Sequence, residues 1–324
     1  MRLANRCSHP QPLELLYIAH DYISGDAFSL MRCAACGLIF TSPQAVPAQL
    51  ARYYPSGYYG RDARYGQPLQ RALRALYAAR ARHFARSSGQ QSGLVVDIGC
   101  GRGEILHAMR ESGWRTLGTE ISESSARHAR EALHLDVRVC EDVDALGLPE
   151  GSADLVLLWH VLEHVRDPAR MLGEIATLLR PSGTLIVAVP NTGSLEARLS
   201  GPRWFHLDVP RHLWHFTPAT LTTLLRAEGL EVGRSSYFSP EYDFFSFVQT
   251  ALNMLGMRQN TLYNLLRTKG AKVLQANAPP SAPDRAASVL LAPLLGLLSL
   301  LWVPIAALSG RGATMVIIAK KMES

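Results

Sequence analysis

Between Leu94 and Pro190 the chain alternates short apolar runs with longer stretches whose apolar positions recur every three or four residues. LVVDIG (94–99), RTLGTE (115–120), DVRVCE (136–141), ADLVLLW (153–159) and TLIVAVP (184–190) read as strands, with helices at 102–112, 123–133 and 168–179. Strands apolar at nearly every position are buried on both faces, so the pattern predicts a parallel sheet covered by helices on either side. It resumes with a helix at 218–228, where Thr217 suits the N-cap and Pro218 the first helical position. A strand at 230–238 and a last one, ATMVIIAKK, at 313–321 complete a doubly wound α/β sheet of seven strands.

The flanks are different. Residues 1–45 lack a regular period and hold Cys7, Cys33 and Cys36. Residues 46–68 carry Gly and Pro in the manner of a linker, and 69–86 have the spacing of a connecting helix. From Ala286 to Gly310 no side chain is charged, which is long enough for a membrane span. Arg285 lies at one end and Arg311, Lys320 and Lys321 at the other, and ATMVIIAKK must return to the sheet. A single crossing is therefore not expected. Pro293 and Pro304 suit a bend into a hairpin that dips into or lies on a membrane, with the apolar 244–257 packed beside it. The rival is a buried helical cap or a dimer contact. The division expected is a module at 1–45, a linker and helix at 46–90, a core at 91–240, an apolar helical insertion at 241–311 and the returning strand at 312–324.

Composition narrows the function classes. With 48% hydrophobic and 19% charged residues the chain can bury a large core. Its net charge of +6 is compatible with an acidic substrate or an anionic membrane surface. The basic residues are scattered without interleaved aromatics, so no nucleic acid is expected. Five cysteines, an odd number, and an N-terminus without a signal-peptide run argue for the cytoplasm, with or without contact to the cytoplasmic face of the membrane.

The chemistry concentrates in VVDIGCGRGEIL (95–106). Gly99, Gly101 and Gly103 follow the first strand and open a helix, where a backbone without side chains can turn tightly against a ligand. Glu120 ends the next strand, where an acidic group binds ribose hydroxyls. The dinucleotide fingerprint would need a third glycine where Glu104 stands, and Asp97 would repel a pyrophosphate. S-adenosylmethionine, with an ammonium, a sulfonium and no phosphate, suits the site better. Gly103 has a second reading as a helix-packing glycine.

DIGCGRGE, GTE, LWHVLEHVRDP and LLRPSGTLIVAVPN, in that order, resemble the class I S-adenosylmethionine-dependent methyltransferases, which have a Rossmann-like sheet. The wording is closest to the subgroup of ubiquinone-pathway O-methyltransferases and sugar- and lipid-modifying relatives. The resemblance covers about residues 90–240 and the last strand. It implies that Asp97, Gly99, Cys100 and Gly101 shape the methionine pocket and that Glu120 and Ile121 hold the ribose. It places Glu141, Asp142 and Val143 at the adenine, with Trp159 and His160 flanking the methionine end.

If the methyl acceptor is a hydroxyl, a base must take its proton. WHVLEHV (159–165) offers His160, Glu163 and His164, the last with a structural reading as a buried histidine. GPRWFHLDVPRHLWHFTP (201–218) offers His206, Asp208, His212 and His215 among aromatics, with Arg211 available to hold a phosphate or carboxylate. His212 and His206 lead as bases, with His160 behind them. Cys33-Ala-Ala-Cys36-Gly, with Cys7 and His9 upstream, has the makings of a structural zinc ribbon, for which His20 could replace His9. The alternative is a small β-hairpin with free thiols.

The expected function is O-methylation of a lipid-linked, saccharide or quinone-like acceptor, using S-adenosyl-L-methionine and a structural zinc ion. C-methylation of a sugar nucleotide is the nearest rival. An NAD-dependent oxidoreductase and a non-catalytic membrane scaffold are more distant. The oligomeric state is not read from the sequence.

Overall fold

The computed structural model describes residues 12–45, 49, 52–54, 67–267 and 280–322. Strands β1 (Leu13–His20), β2 (Ala27–Cys33) and β3 (Ile39–Ser42) lead to helix α1 (Gln67–Ser88). Then follow β4 (Leu94–Ile98), α2 (Glu104–Glu111), β5 (Arg115–Thr119), α3 (Glu123–Leu133), β6 (Val137–Arg138), β7 (Ala153–Trp159), α4 (Pro168–Leu178) and β8 (Leu179–Pro190). The remainder comprises α5 (Leu195–Ser200), β9 (Trp214–His215), α6 (Pro218–Ala227), β10 (Leu230–Ser236), α7 (Pro240–Met254), α8 (Thr261–Arg267), α9 (Ala282–Leu308) and β11 (Thr314–Lys321).

Seven strands form the central sheet in the order β10-β11-β8-β7-β4-β5-β6. β4 to β8 pair in parallel, while β11 runs antiparallel between β8 and β10. The double-sided burial inferred from the apolar runs is met residue by residue. Val96, Ile98, Val156, Leu158, Leu185 and Val187 point into one core with α4 and α6. Their neighbours Val95, Leu155, Leu157, Ile186 and Ala188 point into the other, with α1, α2 and α3. DVRVCE is a strand only at Val137–Arg138. As an edge strand it has one partner, β5, and the chain then leaves the ladder to bring Cys140 and Glu141 to the cavity described below.

The N-terminal strands form a second antiparallel sheet, β1-β2-β3-β9, whose fourth strand comes from the segment after β8. Phe40 pairs with Trp214 and Ile39 with His215. Thr41 Oγ1 donates to the His212 carbonyl at 2.7 Å. Phe28, Leu30 and Ile39 share an apolar cluster with Ala197, Trp204, Leu207 and Val209. The N-terminal sheet is thus built into the wall that carries the histidine-rich segment.

The hairpin expected from Pro293 and Pro304 is not found. α9 is one continuous helix containing both prolines, capped by Ser281 and Asp284. Each ring removes one backbone hydrogen bond, but both prolines sit on the exposed side, where they collide with no packed neighbour. α7 packs beside α9 as expected, with Phe247 and Trp302 ring centroids 5.8 Å apart.

Candidate active site

The strand order reverses at β4, between β5 and β7, and a crevice opens there at the carboxyl ends of the parallel strands. A cavity of about 840 Å³ occupies it, within the range of small-molecule sites.

One end is polar and backbone-lined. Gly101 has φ +58° and open space where a Cβ would stand, so its backbone faces the cavity bare. Glu120 closes the turn after β4 by accepting from Gly101 N at 2.9 Å and Ser122 N at 2.7 Å. Gly99, Gly101, Glu120, Ile121 and Glu141 all line this end. Other residues assigned to the cofactor do not. Cys100 Sγ lies against Gly118. Val143 is in the core, and the Asp142 carboxylate faces Arg170 at 3.8 Å. Trp159 turns to the back of the sheet, packed against Phe84 and under the Arg80 guanidinium at 4.3 Å. Gly103 resolves toward packing, since a Cβ there would meet Leu135 Cδ1 at 2.6 Å.

Asp97 is buried directly behind the glycine turn. Burial, and then the neighbouring Glu120 charge, push its carboxyl up to about 8. Asp97 is not on the cavity wall, but a cation bound in front of the turn would favour its ionised form, which fits a ligand bearing an ammonium and a sulfonium.

The other end is aromatic and basic. His160 follows β7 with φ +56°, a strained position that turns its ring into the crevice. His160 lines the cavity; its Nδ1 lies 3.2 Å from Glu163 Oε1, while its Nε2 is buried without a partner. Burial opposes ionisation of Glu163, but the hydrogen bond and charge of His160 outweigh it and hold the carboxyl below its usual range. Tyr242 packs on His160 with centroids 4.1 Å apart. Phe205 meets Phe245 at 5.5 Å and Tyr263 at 5.3 Å, and Tyr22 closes the ring from the N-terminal sheet.

The other histidines are more firmly embedded. His212 Nδ1 is 2.8 Å from the His206 carbonyl, and burial lowers its imidazole to about 4. His206 is lowered to about 3, also by burial, and its Nε2 lacks a partner. His164 Nδ1 bonds to the Arg211 carbonyl, as its structural reading required. His215 bonds Thr41 away from the cavity. Glu163, His164 and His212 bring one ligand atom each within 4.8 Å of one another, so a cation could be held there. The role offered to Arg211 as a substrate anchor is not met. Its guanidinium is consumed by Asp21 at 2.7 Å, Asp208 at 2.8 Å and the Tyr53 carbonyl at 3.0 Å. In the proposed zinc set, Cys7 and His9 lie outside the described residues. Cys33 ends β2, and its carbonyl accepts from Gly37 N at 2.8 Å to form a tight turn beside Cys36.

The sequence profile described as "Methyltransferase domain" matches residues 69–234, just over half of the chain. The chain belongs to the methyltransferase-domain family. It is 30% identical over 224 residues to a ubiquinone biosynthesis O-methyltransferase of Rhodopseudomonas palustris strain HaA2, covering 62% of this chain and 88% of that protein. It is 31% identical over 139 residues to a "Probable S-adenosylmethionine-dependent methyltransferase" of Mycolicibacterium smegmatis, covering 43% of this chain and 52% of that one. The chain thus spans about half the length of the latter relative. Among solved structures, the [4+2]-cyclase SpnF superposes with a TM-score of 0.50 at 20% identity, covering 83% of this chain and 87% of that chain. A methyltransferase from Archaeoglobus fulgidus gives 0.47 at 23% identity, with 76% and 94% covered. The likeness to SpnF is one of fold, and a fold named there for a cyclisation does not by itself specify methyl transfer.

This class I methyltransferase uses S-adenosylmethionine, and a pH-dependent affinity for it is expected from the buried Asp97. Below about pH 8 the free site carries a proton on Asp97 that a cationic ligand expels. Affinity for S-adenosylmethionine is therefore expected to rise toward pH 8 by up to about tenfold per unit and then level off. Calorimetry from pH 6 to 9 measures this, with Asp97→Asn as the flat control; a native profile as flat as the control removes Asp97 from the binding account.

The sequence left several wall residues of this methyltransferase unmarked. Tyr22 has no local signal, because its place depends on the N-terminal sheet docking. Phe245 falls in the apolar 244–257 stretch expected to pack beside the 286–310 segment, and Tyr242 lies just ahead of it.

Proposed function

We propose that the enzyme methylates a hydroxyl oxygen on a lipid-linked, saccharide or quinone-like small molecule, with His160 as general base. The observation that carries this is a cavity-lining imidazole whose Nδ1 is held by Glu163 while its buried Nε2 has no partner. When bound, S-adenosylmethionine supplies an electrophilic methyl group on a sulfonium. Gly101 would present bare backbone to its methionine end beside Gly99, Glu120 would accept from its ribose hydroxyls, and Glu141 would border its adenine. His160 Nε2 takes the acceptor proton, and Glu163 keeps the ring oriented and stabilises the imidazolium. Phe205, Tyr242, Phe245 and Tyr263 exclude water from the acceptor.

His160 is preferred over His212 and His206 because burial leaves those two imidazoles with little proton affinity. A structural zinc ion held by Cys33 and Cys36 with Cys7 and His9 belongs to the same reading, as does peripheral contact with the cytoplasmic face of a membrane. Metal content of the purified protein tests the zinc. The reaction is tested by incubating the protein with isotopically labelled S-adenosylmethionine and candidate phenolic, saccharide and polyprenyl-linked acceptors. A mass increase of one methylene at an oxygen supports it; transfer to carbon, or to none of them, removes it.

A further inference from the structure

Helix α9 has two faces of opposite character. Ser288, Leu295, Ser299, Val303 and Ala306 are buried at helical spacing against α7 and its surroundings. The opposite half of the helix is exposed along its whole length, and its large residues stand far out: Leu290, Leu297, Leu301, Ile305 and Leu308 are between 63% and 90% exposed. No charged side chain interrupts residues 286–310. The helix has 27 residues, or about 40 Å of length, so the apolar strip far exceeds what soluble monomers leave uncovered.

The fold fixes how this helix can meet a membrane. Directly after it, Ala313 O accepts from Asn191 N, Arg311 O accepts from Leu195 N, and Thr314 enters the central sheet. Its inner face is sealed to protein from Ser288 to Ala306. A helix lined by its own domain along its length cannot be ringed by lipid, so it lies in the plane of an interface with only its outer half immersed.

We propose that α9 seats the enzyme on an anionic bilayer surface and that its neighbour α7 carries this seat to the acceptor end of the cavity. Two features select lipid over a protein partner. The outer face offers leucine, isoleucine and proline with no hydrogen-bonding side chain, whereas specific protein interfaces carry polar rims and about one hydrogen bond per 100–200 Å². Exposed Arg285 and Arg311 flank the strip on a chain of net charge +6, which complements acidic headgroups. The link to the site is α7 itself. Its Val248 and Leu252 pack in one cluster with Leu295 of α9, while its Tyr242 and Phe245 line the cavity. An acceptor held in the leaflet thus meets the enzyme one helix away from His160. This last step rests on the lipophilic-acceptor reading above; the docking surface does not.

The test is co-sedimentation of the full chain with vesicles of phosphatidylcholine alone or mixed with phosphatidylglycerol. S-adenosylmethionine affinity is measured in parallel on the same protein. The native chain is expected to sediment with the mixed vesicles. A Leu297→Glu/Leu301→Glu variant should bind them at least tenfold more weakly with unchanged S-adenosylmethionine affinity, which shows that it is folded. Failure of the native chain to bind vesicles overturns the proposal, as does equal binding by the variant. A native dimer that the variant breaks, without vesicle binding by either form, assigns the face to a second copy and also overturns it. Vesicle binding needs no acceptor, so its failure is separable from failure of the methylation reading.

Discussion

Replacing His160 by alanine is expected to lower turnover by about 10²–10⁴-fold while leaving S-adenosylmethionine affinity nearly unchanged. His160 does not contribute to the glycine turn, and Glu120 holds that turn through Gly101 N and Ser122 N without it. What is lost is a cavity-lining imidazole and the carboxylate alignment behind it. Glu163→Gln should retain the packing but not the charge that stabilises the imidazolium. The amide also permits the wrong tautomer, so turnover should fall while S-adenosylmethionine affinity holds. Burial of His206 and His212 predicts much smaller losses in their alanine variants. Single-turnover rates with the unmethylated acceptor identified as above provide the check. Near-native turnover in the His160→Ala protein would return the base to the 201–218 segment.

The second large effect concerns stability. Arg211→Met should cost about 3–5 kcal/mol in unfolding free energy, because it strands two carboxylates that the guanidinium now satisfies. The side chains of Arg211 and Asp21 are fully buried. Burial opposes ionisation of Asp208, but Arg211 and then His212 outweigh it and lower the carboxyl to about 2. A carboxylate depressed on folding contributes stability above its unfolded value. The native protein should therefore lose that contribution as the pH falls from about 4 toward 2. Denaturant unfolding at neutral pH measures the loss, and combining Arg211→Met with Asp21→Asn and Asp208→Asn should recover part of it. A loss below about 1 kcal/mol in the single variant would show that the clasp does not hold the N-terminal sheet to the core.

The residues that were readable in advance share a local cause. The strand from Leu94, the glycine turn and Glu120 depend on positions within a few residues of one another. An apolar run, a required positive φ and a carboxylate at a strand end act over that range. The family resemblance points to Cys100, Asp142, Val143 and Trp159 at the cofactor, but alternation along a strand and the turn after it sends their side chains elsewhere. The same limit affected the histidines. His160, His206 and His212 have equal chemistry in isolation, and only the depth of burial and the partner on each ring nitrogen distinguish them.

The sequence by itself determined the alternation of seven strands with helices along the chain, the class of cofactor and the existence of an apolar C-terminal segment, because periodicity, turn chemistry and charge are written in adjacent residues. Tertiary structure decided that Thr41 would reach His212, that Arg211 would clasp Asp21 and Asp208 rather than a substrate, and that α9 would continue through two prolines with half its surface bare. Each of these depends on which distant groups meet in a water-poor interior. Burial and partner choice are set by the packing of the whole chain, and no local pattern encodes them.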